Sequence, residues 1–153
     1  MTFRLIEARR ALAVAATAAA ALLSGCAATG PQFSGVAKPV EDKGDVYLYR
    51  TSALFAVAQS FSVTLDGKDV GQLYNASYLQ MRVSPGKHEL KVAPGGFSKT
   101  SELTIEVEGG KQRFYQYEFA TGPIANVFFA GASIQERSQD TALQHLRELK
   151  AAK

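Results

Sequence analysis

The sequence contains no tryptophan and a single cysteine, Cys26. One cysteine cannot form an intramolecular disulfide, so the fold must be stabilised by packing alone. Charge of one sign is also not in large excess, because 17 basic residues are interleaved with 14 acidic ones. Such a pattern lacks the basic stripe that binds a phosphate backbone, which argues against nucleic acid as a partner. No apolar run reaches the roughly 20 residues that a permanent membrane-spanning helix needs.

The first 26 residues have the layout of a bacterial lipoprotein signal. Three arginines and one glutamate precede a thirteen-residue apolar run, Ala11 to Leu23, which has the length of a signal-peptide core. The run ends in Leu23-Ser24-Gly25-Cys26, which resembles the lipobox, the motif that directs acylation of the cysteine and cleavage just before it. We therefore predict that residues 1–25 are removed and that acyl chains on Cys26 anchor the protein in the bacterial cell envelope. Ala27 follows the cysteine where an aspartate would favour the inner membrane, which predicts the outer membrane, facing the periplasm.

Processing changes the charge balance and leaves one domain's worth of chain. Removal of residues 1–25 takes away three basic residues and one acidic residue, leaving 14 and 13. Residues 26–43 are small, polar or turn-forming and show no sustained period, so we predict a lipidated tether there. A flexible segment of this length would have a mean reach on the order of 20 Å. Residues 44–153 are then the folded domain, which is long enough to bury one core.

Beyond residue 44 the apolar residues recur with a period of two in short segments, which is typical of antiparallel strands. Val46 and Leu48 alternate with tyrosines, and Val63 and Leu65 share one face of a second segment. Turn sequences follow at Asp66-Gly67, at residues 84–87 and at residues 109–110. Strands about ten residues apart occur in sandwiches and barrels. We predict a small antiparallel β-sandwich of about seven to eight strands.

The end of the chain has a different period. Asp140 is a candidate N-cap, and a helical stripe follows, formed by Ala142, Leu143, Leu146 and Leu149. The pattern predicts one amphipathic helix, Thr141 to Ala151, that covers a face or an edge of the sheet. Between strands and helix, Ile124 to Ala132 is apolar without a period, which fits a last buried strand or an exposed loop. Its adjacent rings, Phe128 and Phe129, are candidate contact residues for a protein partner.

The residue pattern predicts no catalytic, metal or cofactor site. His88 and His145 are the only histidines, and neither has acidic or cysteine neighbours at a ligand spacing. Tyrosines alternating along strands can line a glycan or peptide groove, although half-wet sheet positions are the favoured interpretation. The candidates for such a groove are Tyr47, Tyr49, Tyr78, Tyr115 and Tyr117.

A wider pattern emerges along residues 45–119. The segments Val46-Tyr47-Leu48-Tyr49-Arg50, Leu65-Asp66-Gly67 and Pro85-Gly86-Lys87-His88 resemble a family of small bacterial lipoproteins classed as a domain of unknown function. Leu-Asp-Gly followed by Pro-Gly-x-His is also similar to the PEGA-type β module. The resemblance implies a small β-sandwich tethered to an envelope membrane and brings no established catalytic residues.

These observations predict a membrane-anchored cell-envelope lipoprotein that acts as a non-catalytic structural or protein-interaction module. Its expected partners are the membrane, through the acyl chains, and an envelope protein or glycan. The alternative is a periplasmic module that binds glycan or peptide through the strand tyrosines. A hydrolase is a third, weaker hypothesis.

Overall fold

A computed structural model of the chain describes residues 28–54, 56–94, 99–119 and 131–152. In these ranges the fold is mainly β with one short helix near the C-terminus, which confirms the predicted fold class. The elements, in chain order, are β1 (Gly44–Arg50), β2 (Phe61–Leu65), β3 (Lys68–Leu73), β4 (Ser77–Val83), β5 (Gly86–Pro94), β6 (Ser101–Val107), β7 (Gln112–Phe119), β8 (Ala132–Arg137), α1 (Gln139–Leu146) and β9 (Lys150–Ala151).

The strands form two sheets, with the orders β8-β7-β1-β4-β9 and β3-β2-β5-β6. The four-stranded sheet is antiparallel throughout, as predicted. The five-stranded sheet is mixed, because β1 runs parallel to β7 and β4 runs parallel to β9, so the prediction of a purely antiparallel sandwich was wrong here. The physical reason is the path of the chain. Between β1 and β7 it forms β4 and all four strands of the second sheet, and this long connection lets β1 and β7 run in the same direction.

The main core lies between the two sheets and follows the predicted alternation. Val46 and Leu48 of β1 are fully buried against Val63 and Leu65 of β2. On the opposite face of β2, Ser62 is exposed and Thr64 is half-buried, so this face of the four-stranded sheet is accessible to water. The Asp66-Gly67 turn joins β2 to β3 as predicted, with both residues at positive φ, 51° and 74°.

A second core covers the outer face of the five-stranded sheet. Tyr47, Tyr49 and Phe114 point away from the sandwich and are buried against Phe33, Ala142, Leu146 and Leu149. Every residue of β1 is therefore buried. The helix covers this face, as the sequence predicted, and the segment before β1 covers it as well.

The helix is shorter than predicted and begins earlier. It begins after Ser138, whose Oγ accepts a hydrogen bond from the Thr141 N–H, whereas the predicted cap, Asp140, lies in the first turn. The predicted end at Ala151 was wrong as well. The chain leaves the helix after Leu146, because Leu149–Ala151 must extend to pair with β4 and with the segment before β1.

Residues 28–40, here called the N-terminal strap, lie along the domain. Gly30 N–H donates to Ala151 O (3.0 Å), and Ala151 N–H donates to Pro31 O (2.8 Å). Phe33 N–H donates to Leu149 O (3.0 Å), and its ring packs into the second core. A flexible tether was expected over residues 26–43, whereas in the structure the strap is bonded to the domain and packed against it. A glycine is required at position 30, because a Cβ there would collide with the Ala151 carbonyl.

The apolar segment Ile124 to Ala132 reaches the described structure only at its end. Ala132 begins β8, an edge strand paired with β7. Phe128 and Phe129 lie outside the described residues.

The register of β2 predicts a contrast between neighbouring positions. Val63→Ala should lower the free energy of unfolding by about 1 to 3 kcal/mol, because it leaves a cavity at a fully buried site. Thr64→Ala should cost well under half as much, because Thr64 is half-buried on the opposite face. Urea melts of the purified domain measure both values, and equal losses would contradict this register.

Candidate functional site

The strand tyrosines belong to the two cores. Tyr47 and Tyr49 are buried on the outer face of the five-stranded sheet, whereas Tyr115 and Tyr117 are buried between the sheets. Tyr78 is half-buried and meets the Phe33 ring edge-on, with the centroids 5.4 Å apart. The five rings are thus divided between opposite faces of one sheet, so they cannot line one groove. The hypothesis of a glycan- or peptide-binding module relied on one groove lined by these tyrosines, and the structure does not form that groove from them.

Two of the tyrosine hydroxyls, those of Tyr47 and Tyr49, contact polar groups of the protein. Tyr47 Oη accepts a hydrogen bond from the Ala37 N–H (2.8 Å), which fixes the N-terminal strap to β1. Tyr49 Oη lies 3.1 Å from His145 Nδ1, which places the second histidine in a contact between helix and sheet. Burial raises the pKa of Tyr49 to about 12 and that of Tyr115 to about 12. These hydroxyls therefore stay protonated at neutral pH.

His88 and Asp66 form a polar pair at one end of the sandwich. His88 Nδ1 lies 2.7 Å from Asp66 Oδ2, and Nε2 lies 2.8 Å from the Ser84 carbonyl oxygen. Both partners are acceptors, so the ring satisfies both contacts only when it is protonated. The hydrogen bond to Asp66 raises the pKa of His88, and the same bond lowers the pKa of Asp66.

The other oxygen of this carboxylate completes a clasp between two turns. Asp66 Oδ1 accepts the Glu89 N–H (2.9 Å), and the Asp66 N–H donates to Glu89 O (2.9 Å). Asp66 thus fastens the turn after β2 to the start of β5, and His88 extends the contact to Ser84 in the turn before β5. The sequence pattern Leu-Asp-Gly and Pro-Gly-x-His contained both partners, but no spacing rule predicted that they would meet.

Arg50 ends β1 and is 2% exposed. Its guanidinium donates to the carbonyls of Ala56 (2.8 Å) and Gln59 (3.0 Å), both in the loop after β1. The same group lies over the rings of Phe61 (4.9 Å) and Phe119 (5.4 Å). Burial lowers the pKa of Arg50, although arginine stays charged. The sequence pattern did not predict that Arg50 holds the loop after β1. The signal available in the sequence was an arginine at the end of a strand that is apolar on both faces.

An ion pair between the buried Asp45 and the partly exposed Arg82 also fixes the strap. Asp45 is 1% exposed, and Arg82 contacts both of its oxygens, at 2.9 and 3.0 Å. Arg82 also donates to the Lys38 carbonyl (3.0 Å). The pair joins β1, β4 and the N-terminal strap.

One open depression of about 450 Å³ lies beside β8 and the start of α1. Its arginines are engaged in ion pairs: Arg113 with Glu108 (2.6 Å) and Glu136 (3.2 Å), and Arg137 with Glu118 (2.7 Å). These pairs brace neighbouring strands. The lining residues are Gln112, Arg113, Phe114, Glu136, Arg137, Ser138 and Gln139.

The predicted lipidation site, Leu23, Ser24, Gly25 and Cys26, lies outside the described residues. Within the ranges that the structure describes, no three side chains of histidine, cysteine, aspartate or glutamate are grouped to hold a metal ion. No helix in those ranges is long and apolar enough to cross a membrane.

The fold and these contacts define a two-sheet β-sandwich whose polar side chains fasten its turns and strap. The sequence profile described as "Protein of unknown function (DUF2846)" matches residues 40–132, more than half of the chain, so the protein belongs to that family. No curated protein and no solved structure matches it.

The His88 contact predicts a pH-dependent contribution to stability. Because folding raises the pKa of His88 above 6.5, the contribution is complete below that value and is lost as pH rises through the raised pKa. Asp66 limits it on the acid side, since its contribution is lost as pH falls through a pKa below 3.8. His88→Gln should therefore reduce the free energy of unfolding more at about pH 5.5 than at about pH 9. Urea melts at both values measure this, with Lys87→Gln at the neighbouring position of β5 as control. A gap that widens toward pH 9 would contradict it.

The Arg50 contacts predict that the loop after β1 depends on the shape of this side chain. Arg50→Lys keeps the charge but loses the forked donors, so it should cost about 2 kcal/mol or more and loosen residues 51–60. Melts and limited proteolysis of that loop measure the two effects. Arg113→Lys, at a half-exposed arginine, is the matched control and should leave the loop protected. Equal protection in both variants would argue against the clamp.

Proposed function

We propose that this protein is a membrane-anchored cell-envelope lipoprotein, acylated at Cys26, that acts as a non-catalytic structural or protein-interaction module. The observation that carries the proposal is the lipobox-like Leu23-Ser24-Gly25-Cys26 behind a basic start and a short apolar run. Acyl chains contribute about 0.8 kcal/mol per buried methylene, so two or more chains anchor a protein stably. Ala27 supports an outer-membrane location facing the periplasm.

The contacts of the polar side chains support the non-catalytic part of the proposal. His88 and Asp66 fasten two turns, Arg50 fastens a loop, and Arg82, which is held by Asp45, fastens the strap. Each of these side chains is engaged in holding backbone rather than pointing into a shared cleft. We also propose that the Leu-Asp-Gly and Pro-Gly-x-His segments, which resemble those of PEGA-type modules, serve to form this clasp.

Metabolic labelling with a fatty acid tests the anchor. The wild-type protein should incorporate label and fractionate with the outer membrane. Cys26→Ala should abolish both labelling and cleavage before residue 26, because the acylated atom is the thiol sulfur. Ser24→Ala, which keeps a small residue in the motif, is the matched control and should be labelled normally. Labelling of Cys26→Ala at the wild-type level would contradict the proposal, and recovery of the wild type mainly with the inner membrane would contradict its location.

A further inference from the structure

Among the described residues, the N-terminal strap is the outermost segment on one edge of the five-stranded sheet. That sheet has the order β8-β7-β1-β4-β9, and the strap pairs with β9 on the side away from β4. The pairing is antiparallel, since Gln32 is bridged to Lys150 while the Gly30 N–H donates to Ala151 O (3.0 Å). Followed back from residue 32 to residue 28, the strap therefore runs along β9 toward and past its C-terminal end.

The two sheets share the same pair of edges. On the strap side, Gly71 of β3 lies against Leu79 of β4, because a Cβ on this glycine would be 3.3 Å from Leu79 Cδ2. On the opposite side, Ser101 Oγ of β6 donates to Ala132 O of β8 (2.8 Å). We call the side formed by the strap, β9 and β3 the strap edge, and the side formed by β6 and β8 the far edge. Within the five-stranded sheet, β9 and β8 are about 19 Å apart, which is the width of four strand spacings.

The chain before the strap is short, and its length decides which edge an anchor would hold. Ala28 is buried on the domain, and only two Cα steps, at most about 7 Å, separate it from Cys26. The hydrogen bond between Gly30 and Ala151 fixes the strap to β9 directly after this point. Acyl chains on Cys26 would therefore keep the strap edge, and not the far edge, at the lipid surface.

The strands of the two edges also differ in charge. β3 and β9 carry two exposed lysines, Lys68 and Lys150, and one aspartate, Asp69, whose Oδ1 accepts the Gly71 N–H (2.7 Å). β6 and β8 carry three exposed glutamates and one half-buried arginine: Glu102, Glu106, Glu136 and Arg137. An anionic lipid surface attracts lysines and repels glutamates, so the charges favour the same orientation as the short spacer.

We propose that the strap edge is the membrane-facing surface of the domain, with Lys68 and Lys150 at the anionic headgroups of the lipid surface that carries the anchor. The far edge then points away from the bilayer. The inference rests on the proposed acylation of Cys26. It deepens the proposed function, because it assigns the side of β6 and β8 to an envelope partner.

Fluorescent probes on the two edges test this orientation in the full acylated protein. Acylation consumes the only native thiol, so Gln72→Cys on β3 and Gln135→Cys on β8 each supply a single site for a dye. The two positions are a matched pair, because both are exposed glutamines on edge strands. Both proteins are reconstituted in vesicles of phosphatidylethanolamine and phosphatidylglycerol, with and without lipid that carries a nitroxide on its headgroup, after mass spectrometry has established the acyl chains.

We expect the Gln72→Cys probe to lose emission severalfold with nitroxide lipid, while the Gln135→Cys probe changes little. Equal quenching at the two positions, or stronger quenching on β8, would overturn the orientation in acylated protein without contradicting the anchor. Emission of the Gln72→Cys probe that changes with protein density but not with nitroxide would identify a second copy as the occupant of the strap edge and would also overturn it. Absence of acyl chains in the mass spectrum would instead contradict the proposed function, and the orientation with it.

Discussion

Burial of β1 on both faces is the constraint on which the rest of the structure depends. Val46 and Leu48 face the main core, while Tyr47 and Tyr49 face outward together with Phe114 of β7. An aromatic side chain buries roughly 150 to 250 Å², which corresponds to about 4 to 6 kcal/mol at most. Exposure of three such rings would cost about as much as the entire net stability of a domain of this size. The outer face of the five-stranded sheet must therefore be covered.

Two segments from opposite ends of the domain form that cover. Helix α1 contributes Ala142 and Leu146, and the N-terminal strap contributes Phe33. The strap and Leu149–Ala151 also pair with each other, which closes the edge beside β4 that would otherwise be open to pairing with another chain. Residues 28–40, the N-terminal strap, are thus part of the fold.

Local periodicity predicted the parts of the fold that depend on neighbouring residues. The sequence pattern predicted the alternation in β1 and β2, the Asp66-Gly67 hairpin and the apolar stripe of α1. The pattern did not predict the parallel pairing of β1 with β7, because strands that are distant in sequence leave no local pattern when they pair. β9 was taken for the last turns of the helix, since its two residues become a strand only through contacts with β4 and the strap.

In the candidate site, too, the sequence predicted what depends on neighbouring residues but not the contacts between residues that are distant in sequence. The sequence pattern contained Asp66 and His88 but did not show that they meet, and it placed Arg50 at a strand end without indicating the loop that it holds. The tyrosines lie on strands as favoured, but the expected half-wet positions hold only for Tyr78, because the other four rings are buried in the two cores. Small, polar residues in 28–43 suggested a flexible tether. The sequence of this segment does not show that it packs, because the apolar face that it covers belongs to other strands and the need for glycine at position 30 arises from the approach of Ala151.

Hydrogen exchange at the backbone amides of the strap tests most directly whether it is part of the fold. In the mature protein, the amides of Gly30, Phe33 and Ala151 donate to carbonyls across the strap and the C-terminal strand. We predict that all three exchange far more slowly than amides in an unstructured peptide of the same sequence, and that Phe33→Ser, which removes a ring from the second core, abolishes this protection. Exchange of Gly30 and Phe33 at the unstructured-peptide rate in the unaltered protein would show that the segment is a free tether and would contradict the account.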